Sequence, residues 1–208
     1  MIYEIPVKGA FETNCYFYID DSTNHGFLID PGAEADRLLG IIKDRKWTIE
    51  KILLTHGHFD HFGAVNRIRE QLAIDVYAHE MSDKYLLNPQ INLSTFCGPD
   101  MVVNNAVKFS DGDIIKLGTN PNFALKVIHT PGHTEDSVVF YSEKDKTAFV
   151  GDTIFKRSIG NYSYPGGNKT VLVNSIMTKI FILPIGTVLL SGHSAKTTVG
   201  DEKKYYGM

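Results

Sequence analysis

Cysteine is scarce in this chain: Cys15 and Cys97 are the only two in 208 residues, accompanied by a single tryptophan. They lie far apart and in no paired motif, which excludes a disulfide framework. Long hydrophobic runs are also missing, and none approaches the roughly 18 apolar residues that a membrane-spanning helix needs. Residues 1–6 (MIYEIP) show no basic stretch leading into an apolar one. A secretory signal is therefore not expected, and a reducing cytoplasm is the expected setting. An excess of positive charge is missing too: 21 Lys and Arg face 24 Asp and Glu, for a formal net charge of −3. The basic residues are scattered, so there is no stripe to meet nucleic acid. The partner expected is a small-molecule substrate, with neither nucleic acid nor membrane, and the sequence leaves the oligomeric state open.

What is present describes an ordinary globular chain, with 43% hydrophobic and 22% charged residues, and one domain spanning 1–208 is the expectation. Residues 15–19 (CYFYI) and 26–30 (GFLID) read as a hairpin around the polar turn between them. Residues 34–46 carry Leu38, Leu39, Ile41 and Ile42 near helical spacing, and 60–72 repeat Ala64, Val65, Ile68 and Leu72 on one face. Strands are expected at 49–54, 74–78, 114–117, 123–128, 137–141 and 147–150, with a last short one at 188–190. A further helix is expected over 169–181. The stretch 81–99 is irregular, and Asn88-Pro89 ends any helix there early. Alternating strands and helices imply a layered α/β domain.

One stretch stands out. Residues 53–64 (LLTHGHFDHFGA) hold three histidines and an aspartate within six positions, directly after an apolar strand. A lone loop histidine is usually solvated, and an aspartate at a helix start usually caps it. His56, His58, Asp60 and His61 together, at a junction able to turn all four inward, instead suit zinc or iron. A metal needs further donors, and three more polar residues share the strand-end, glycine-preceded placement: His133 in TPGHT, Asp152 in VGDT and His193 in SGHS. His25, His79 and His129 lack that context and are read as non-ligands.

The motifs Asp30-Pro31-Gly32, Thr55-His56-Gly57-His58-Phe59-Asp60-His61, Pro131-Gly132-His133-Thr134, Gly151-Asp152-Thr153-Ile154-Phe155 and Gly192-His193 together resemble those of the metallo-β-lactamase superfamily, in its glyoxalase II-like hydrolase branch. They run in the family's order through nearly the whole chain. The resemblance implies a four-layer αβ/βα sandwich with a dinuclear metal site at one edge. It implies that His56, His58 and His133 hold one ion, that Asp60, His61 and His193 hold the other, and that Asp152 bridges them. The ions would be divalent, with zinc first and iron or manganese open. Two such ions lower the pKa of water from about 15.7 towards about 7, supplying a nucleophile at neutral pH, and polarise a carbonyl. Asp60 would act catalytically as well, by orienting that water or taking its proton. No protein nucleophile is required, so Cys15 and Cys97 are expected to be small buried residues. Asp30 is either a partner that fixes a histidine tautomer or a turn-former.

The implied activity is hydrolysis of a thioester or related ester, of the hydroxyacylglutathione hydrolase type. Glyoxalase II proteins place a basic residue where this chain has Asn161, and an amide cannot make the same charge-assisted bond to a carboxylate. Residues 194–208 are too few for the helical C-terminal domain of larger glyoxalase II enzymes. Asn161 and Lys196 are read as substrate contacts, and Tyr162 and Tyr164 as pocket walls or core packing. The alternative activity is that of a persulfide dioxygenase-like oxidoreductase with one iron. A non-catalytic scaffold ranks behind both, since all seven ligands are retained.

Overall fold

Long apolar alternations set the strands, and helices with one apolar stripe cover them. The computed structural model describes residues 1–208 as two compact units, Met1–Phe109 with Lys116–Ala124, and Ser110–Ile115 with Leu125–Met208. The architecture is mixed α/β with two six-stranded sheets.

In the first unit the sheet order follows the chain: β1 (Ile2–Lys8), β2 (Glu12–Asp20), β3 (His25–Ile29), β4 (Thr48–Leu53), β5 (Asp75–His79) and β6 (Val107–Phe109). The first three strands form an antiparallel meander, whereas β3, β4, β5 and β6 run parallel. Parallel neighbours need crossovers, and α1 (Ala35–Arg45) supplies the first, with α2 (Phe59–Phe62) and α3 (Val65–Leu72) in the second. Leu38 and Ile42 of α1 and Val65 and Ile68 of α3 pack with Cys15, Phe17, Leu28 and Ile52 in one apolar cluster. The helix expected over 60–72 is thus two helices. The break falls where the Ala64 N–H donates to Pro31 O at 2.9 Å instead of continuing the helical ladder. After β5, α4 (Asp83–Leu86) and α5 (Ser94–Cys97) are single turns in the irregular stretch. Buried Asn92 ties this stretch down, donating to Tyr85 O and Met101 O and accepting from Ser94 N.

β1 lies at the sheet edge. Its outward backbone groups are partly occupied from the start of α1: the Arg37 guanidinium donates to Pro6 O, and Lys8 N donates to the Glu34 carboxylate. Pro6 itself has no N–H to offer.

At the end of β2, the buried Asp20 carboxylate accepts from Asn120 at 2.8 Å and from Ser22 and Thr23. These bonds, with that from Asn120 the largest, hold its pKa down to about 2. An unfolded aspartate titrates near 3.9, so the stabilisation is complete above about pH 4 and is lost as pH falls towards 2. Urea unfolding of an Asp20→Asn variant at several pH values should show a weaker acid dependence in that window than the parent.

In the second unit the order is β14 (Thr197–Thr198), β13 (Val188–Ser191), β10 (Thr147–Gly151), β9 (Val138–Ser142), β8 (Ala124–His129) and β7 (Ile114–Lys116). β10 and β13 are parallel, β9 pairs antiparallel with both β10 and β8, and β14 pairs antiparallel with β13. A small hairpin, β11 (Ile154–Phe155) and β12 (Ser158–Ile159), stands apart. The helix expected over 169–181 is α6 (Lys169–Ser175) running into a π turn over Ile176–Ile180. Leu172, Ile176, Ile180 and Phe181 pack on Val139, Ala148, Val150 and Leu189. The chain does not end its regular structure at β13, as expected, but adds β14 and then α7 (Val199–Tyr205), whose Thr198 cap accepts from Asp201 N at 3.0 Å.

Candidate metal centre

Parallel strands in an α/β sheet deliver their following loops to one edge, and each unit uses that edge for its conspicuous polar residues. In the first unit β3 and β4 run side by side and release Asp30-Pro31-Gly32 and Leu54-Thr55-His56 together. The Asp30 carboxylate accepts from Thr55 N at 2.8 Å, from Thr55 Oγ1 at 2.6 Å and from His61 Nδ1 at 3.0 Å. A carboxylate offers only lone pairs, so the His61 proton sits on Nδ1 and its Nε2 keeps a lone pair. The Thr55 hydroxyl has one proton, given to Asp30, so it accepts from His56 Nδ1 at 3.2 Å. His56 is thereby left with a lone pair on Nε2. Asp30 is therefore a tautomer-fixing partner, directly for His61 and through Thr55 for His56, and its turn at φ 50° serves that placement.

His56 Nε2 and His58 Nδ1 lie 3.1 Å apart, and both side chains are buried. Two nitrogens on one tetrahedral zinc, with bonds of 2.0–2.1 Å, would be separated by roughly 3.3 Å. Asp60 Oδ2 stands 3.8 Å from His61 Nε2, with the Thr13 hydroxyl 3.4 Å away. Asp60 does not cap its helix; the N-cap position of α2 belongs to His58, which makes no side-chain cap bond. The tight path of this loop depends on Gly32, because a Cβ there would lie 1.8 Å from Asp60 O. Gly32→Ala should destabilise the protein by at least the roughly 1–3 kcal/mol typical of overpacking, read as a lowered thermal midpoint.

In the second unit the parallel strands β10 and β13 release Asp152 and His193 side by side, and the loop after β8 brings His133. His133 Nδ1 donates to the backbone carbonyl of Asn161 at 2.6 Å, which leaves its Nε2 as the donor atom. That Nε2 is 3.6 Å from Asp152 Oδ2, and His193 Nε2 is 3.4 Å from the same oxygen. Both separations exceed a good hydrogen bond and fall near the distance between ligands on a shared ion. Donor types, tautomers and separations within each unit thus suit divalent metal. Asn161 can approach because Gly160 precedes it, where a Cβ would lie 1.7 Å from Asp152 O.

The histidines read as non-ligands have other occupations. His25 Nδ1 meets Glu50 at 2.9 Å, His79 Nδ1 accepts from Met81 N at 3.3 Å, and His129 Nε2 meets Glu135 O at 2.8 Å. Cys15 is fully buried, and burial, reinforced by the Asp30 charge, pushes its thiol well above the ordinary range. It stays protonated and is no nucleophile. Cys97 departs from expectation, since it is exposed. Of the expected substrate contacts, Asn161 spends its side-chain oxygen on Ser163 N at 2.8 Å. Tyr162 packs on the second unit's core with Lys169 over its ring, while Tyr164 and Lys196 are exposed. Thr13, Thr55 and the Asn161 carbonyl are the contributors that sequence reasoning did not assign. Thr55 sits inside the histidine motif and was the most accessible of them, whereas a backbone carbonyl leaves no residue signature.

Residues 9–193 match the family described as the metallo-beta-lactamase superfamily, and the chain belongs to it. Most of its members are hydrolytic enzymes that bind divalent metals. Among individual proteins, the chain is 34% identical over 209 residues to the hydroxyacylglutathione hydrolase GloC of Haemophilus influenzae, covering 96% of this chain and 93% of that one. It is similar to the crystal structure of the BLEG-1 B3 metallo-beta-lactamase, with a TM-score of 0.91, 37% identity and coverage of 98% and 97%. It is also similar to the structure of TTHA1623 in a di-iron-bound form, with a TM-score of 0.83, 29% identity and coverage of 98% of each chain.

Proposed function

We propose that the protein is a dinuclear metal-dependent hydrolase of thioesters or related esters, of the hydroxyacylglutathione hydrolase type. In this reading His56, His58 and His133 would hold one divalent ion and Asp60, His61 and His193 the other, with Asp152 shared between them. Zinc is the first candidate, with iron and manganese as alternatives. The observation that carries the reading is Asp152 Oδ2 lying 3.4 and 3.6 Å from two imidazole Nε2 atoms, at ligand spacing rather than hydrogen-bond length. The similarity to GloC supports the substrate class.

When bound, such ions lower the pKa of water and polarise the substrate carbonyl. The remaining work falls to the chain. Asp30 and the Asn161 carbonyl keep His61, His56 and His133 in the metal-binding tautomer. Asp60 accepts a proton from the attacking water. The C–O bond forms first, the C–S bond of the tetrahedral adduct then breaks, and the proton held by Asp60 passes to the departing sulfur, so that the products are a carboxylic acid and a thiol. Tyr162, Tyr164, Asn161 and Lys196 belong to the substrate side of this reading.

The test is metal content of the purified protein by elemental analysis, together with hydrolysis of lactoylglutathione and simpler acyl thioesters. Two equivalents of metal, with hydrolysis that disappears in His58→Ala, are expected. One iron, no hydrolysis and oxygen uptake with a persulfide would overturn the reading in favour of the dioxygenase.

A further inference from the structure

The second unit holds a cavity of about 510 Å³ with an unusual balance of charge. Four cationic side chains line it, from three elements: Lys156 and Arg157 at the tip of the β11–β12 hairpin, Lys196 before β14, and Lys204 on α7. None of the four is ion-paired. The two carboxylates on the same wall have other commitments. Glu202 is buried and accepts from Arg157 N at 2.9 Å and from Thr197 Oγ1 at 2.6 Å, while Asp201 takes the Thr198 hydroxyl at 2.9 Å in the helix cap.

A surface cation is ordinarily just solvated, but here the backbone at Arg157 is held in a fixed conformation. Arg157 sits at φ 61°, a left-handed conformation that hairpin tips normally give to glycine or asparagine. The bond from its N–H to buried Glu202 holds it there. Its guanidinium lies over the Tyr205 ring, 5.9 Å from the centroid, which orients its plane and leaves its N–H groups for a planar or tetrahedral oxyanion. The cavity also adjoins the loop carrying His193: Lys156 N donates to Ser194 Oγ at 3.0 Å, and the Phe155 ring stands edge-on to His193 at 6.2 Å.

We propose that this cavity is an oxyanion-binding subsite that receives a phosphate or carboxylate borne by the thiol half of the substrate. The assignment of the occupant as substrate rests on the hydrolase reading; the binding of an oxyanion does not. The subsite would provide the positive charge that Asn161 cannot.

Calorimetric titration of the full chain with inorganic phosphate and, separately, with succinate at low salt tests the binding without any turnover. Binding of either is expected, weakening with added salt, and about tenfold or more weaker in a Lys156→Ala/Lys204→Ala variant, which removes two lining cations. Tighter binding of phosphate would assign a phosphorylated thiol, and tighter binding of succinate a carboxylated one. Absence of binding by both, or binding undiminished in the variant, would overturn the subsite. In a second arm, the same variant should raise KM for an anionic acyl thioester while leaving a neutral one, such as an acyl N-acetylcysteamine, unchanged. Equal KM effects on both would overturn the substrate role. Loss of all thioester turnover in the parent, with anion binding intact, would instead remove the hydrolase reading and leave the subsite standing.

Discussion

Asp152→Ala should lower the metal content of the purified protein and abolish the proposed thioester hydrolysis. Its Oδ2 lies 3.4 and 3.6 Å from the Nε2 atoms of His193 and His133, so its removal takes the only carboxylate from among that unit's expected ligands. If the lost ion supplied even about 4 kcal/mol of charge stabilisation in the transition state, the rate should fall roughly a thousandfold. Elemental analysis and steady-state kinetics on the same preparation check this. Full metal content with parental kcat would show that Asp152 is not a ligand.

Asp30→Asn should be nearly as damaging without touching a ligand. An amide keeps the shape of the carboxylate but replaces one acceptor with a donor. In the native loop that group accepts three bonds, from Thr55 N, Thr55 Oγ1 and His61 Nδ1. An amide nitrogen aimed at His61 Nδ1 forces the ring proton onto Nε2, the atom that would face the metal in the proposed site. Metal affinity should fall by about 10–100-fold, and stability should fall as well, because at least one buried donor loses its acceptor at about 1–3 kcal/mol. Competition with a chromogenic chelator gives the affinity, and urea unfolding the stability. A variant that lost stability alone, with unchanged affinity, would confine Asp30 to a turn.

Much of this organisation is legible in the sequence for a simple reason: where one periodicity acts alone, the pattern suffices. The β2–β3 hairpin, α1, β4 and β5 all lie within a residue or two to a few residues of where alternation or helical spacing puts them. The misreadings share a different cause. The helix over 60–72 looks continuous because Gly63-Ala64 keeps its apolar phase, yet the break is made by Pro31 O, more than thirty residues away. β1 carries no clear period because Pro6 interrupts an otherwise alternating edge strand, and β11, β12 and β14 are too short, at two residues each, to carry one. In the candidate site, the contiguous histidine motif and the strand-end His133, Asp152 and His193 could be picked out by residue type. The role of Asn161 could not, because its carbonyl, and not its amide, meets His133.

The treatment of β1 bears on how this protein behaves at high concentration. An open sheet edge is a template on which a second chain can add a strand, and thereby a seed for aggregation. Here Pro6 withholds one donor, Arg37 occupies the Pro6 carbonyl and Glu34 occupies the Lys8 N–H, so the template is interrupted over consecutive outward positions. Exchanging the Glu34 and Arg37 side chains for alanine would reopen those groups while leaving the apolar core intact. The folded protein would then be expected to self-associate through its first strand long before its unfolding temperature is reached, a loss of colloidal stability without an equal loss of thermodynamic stability.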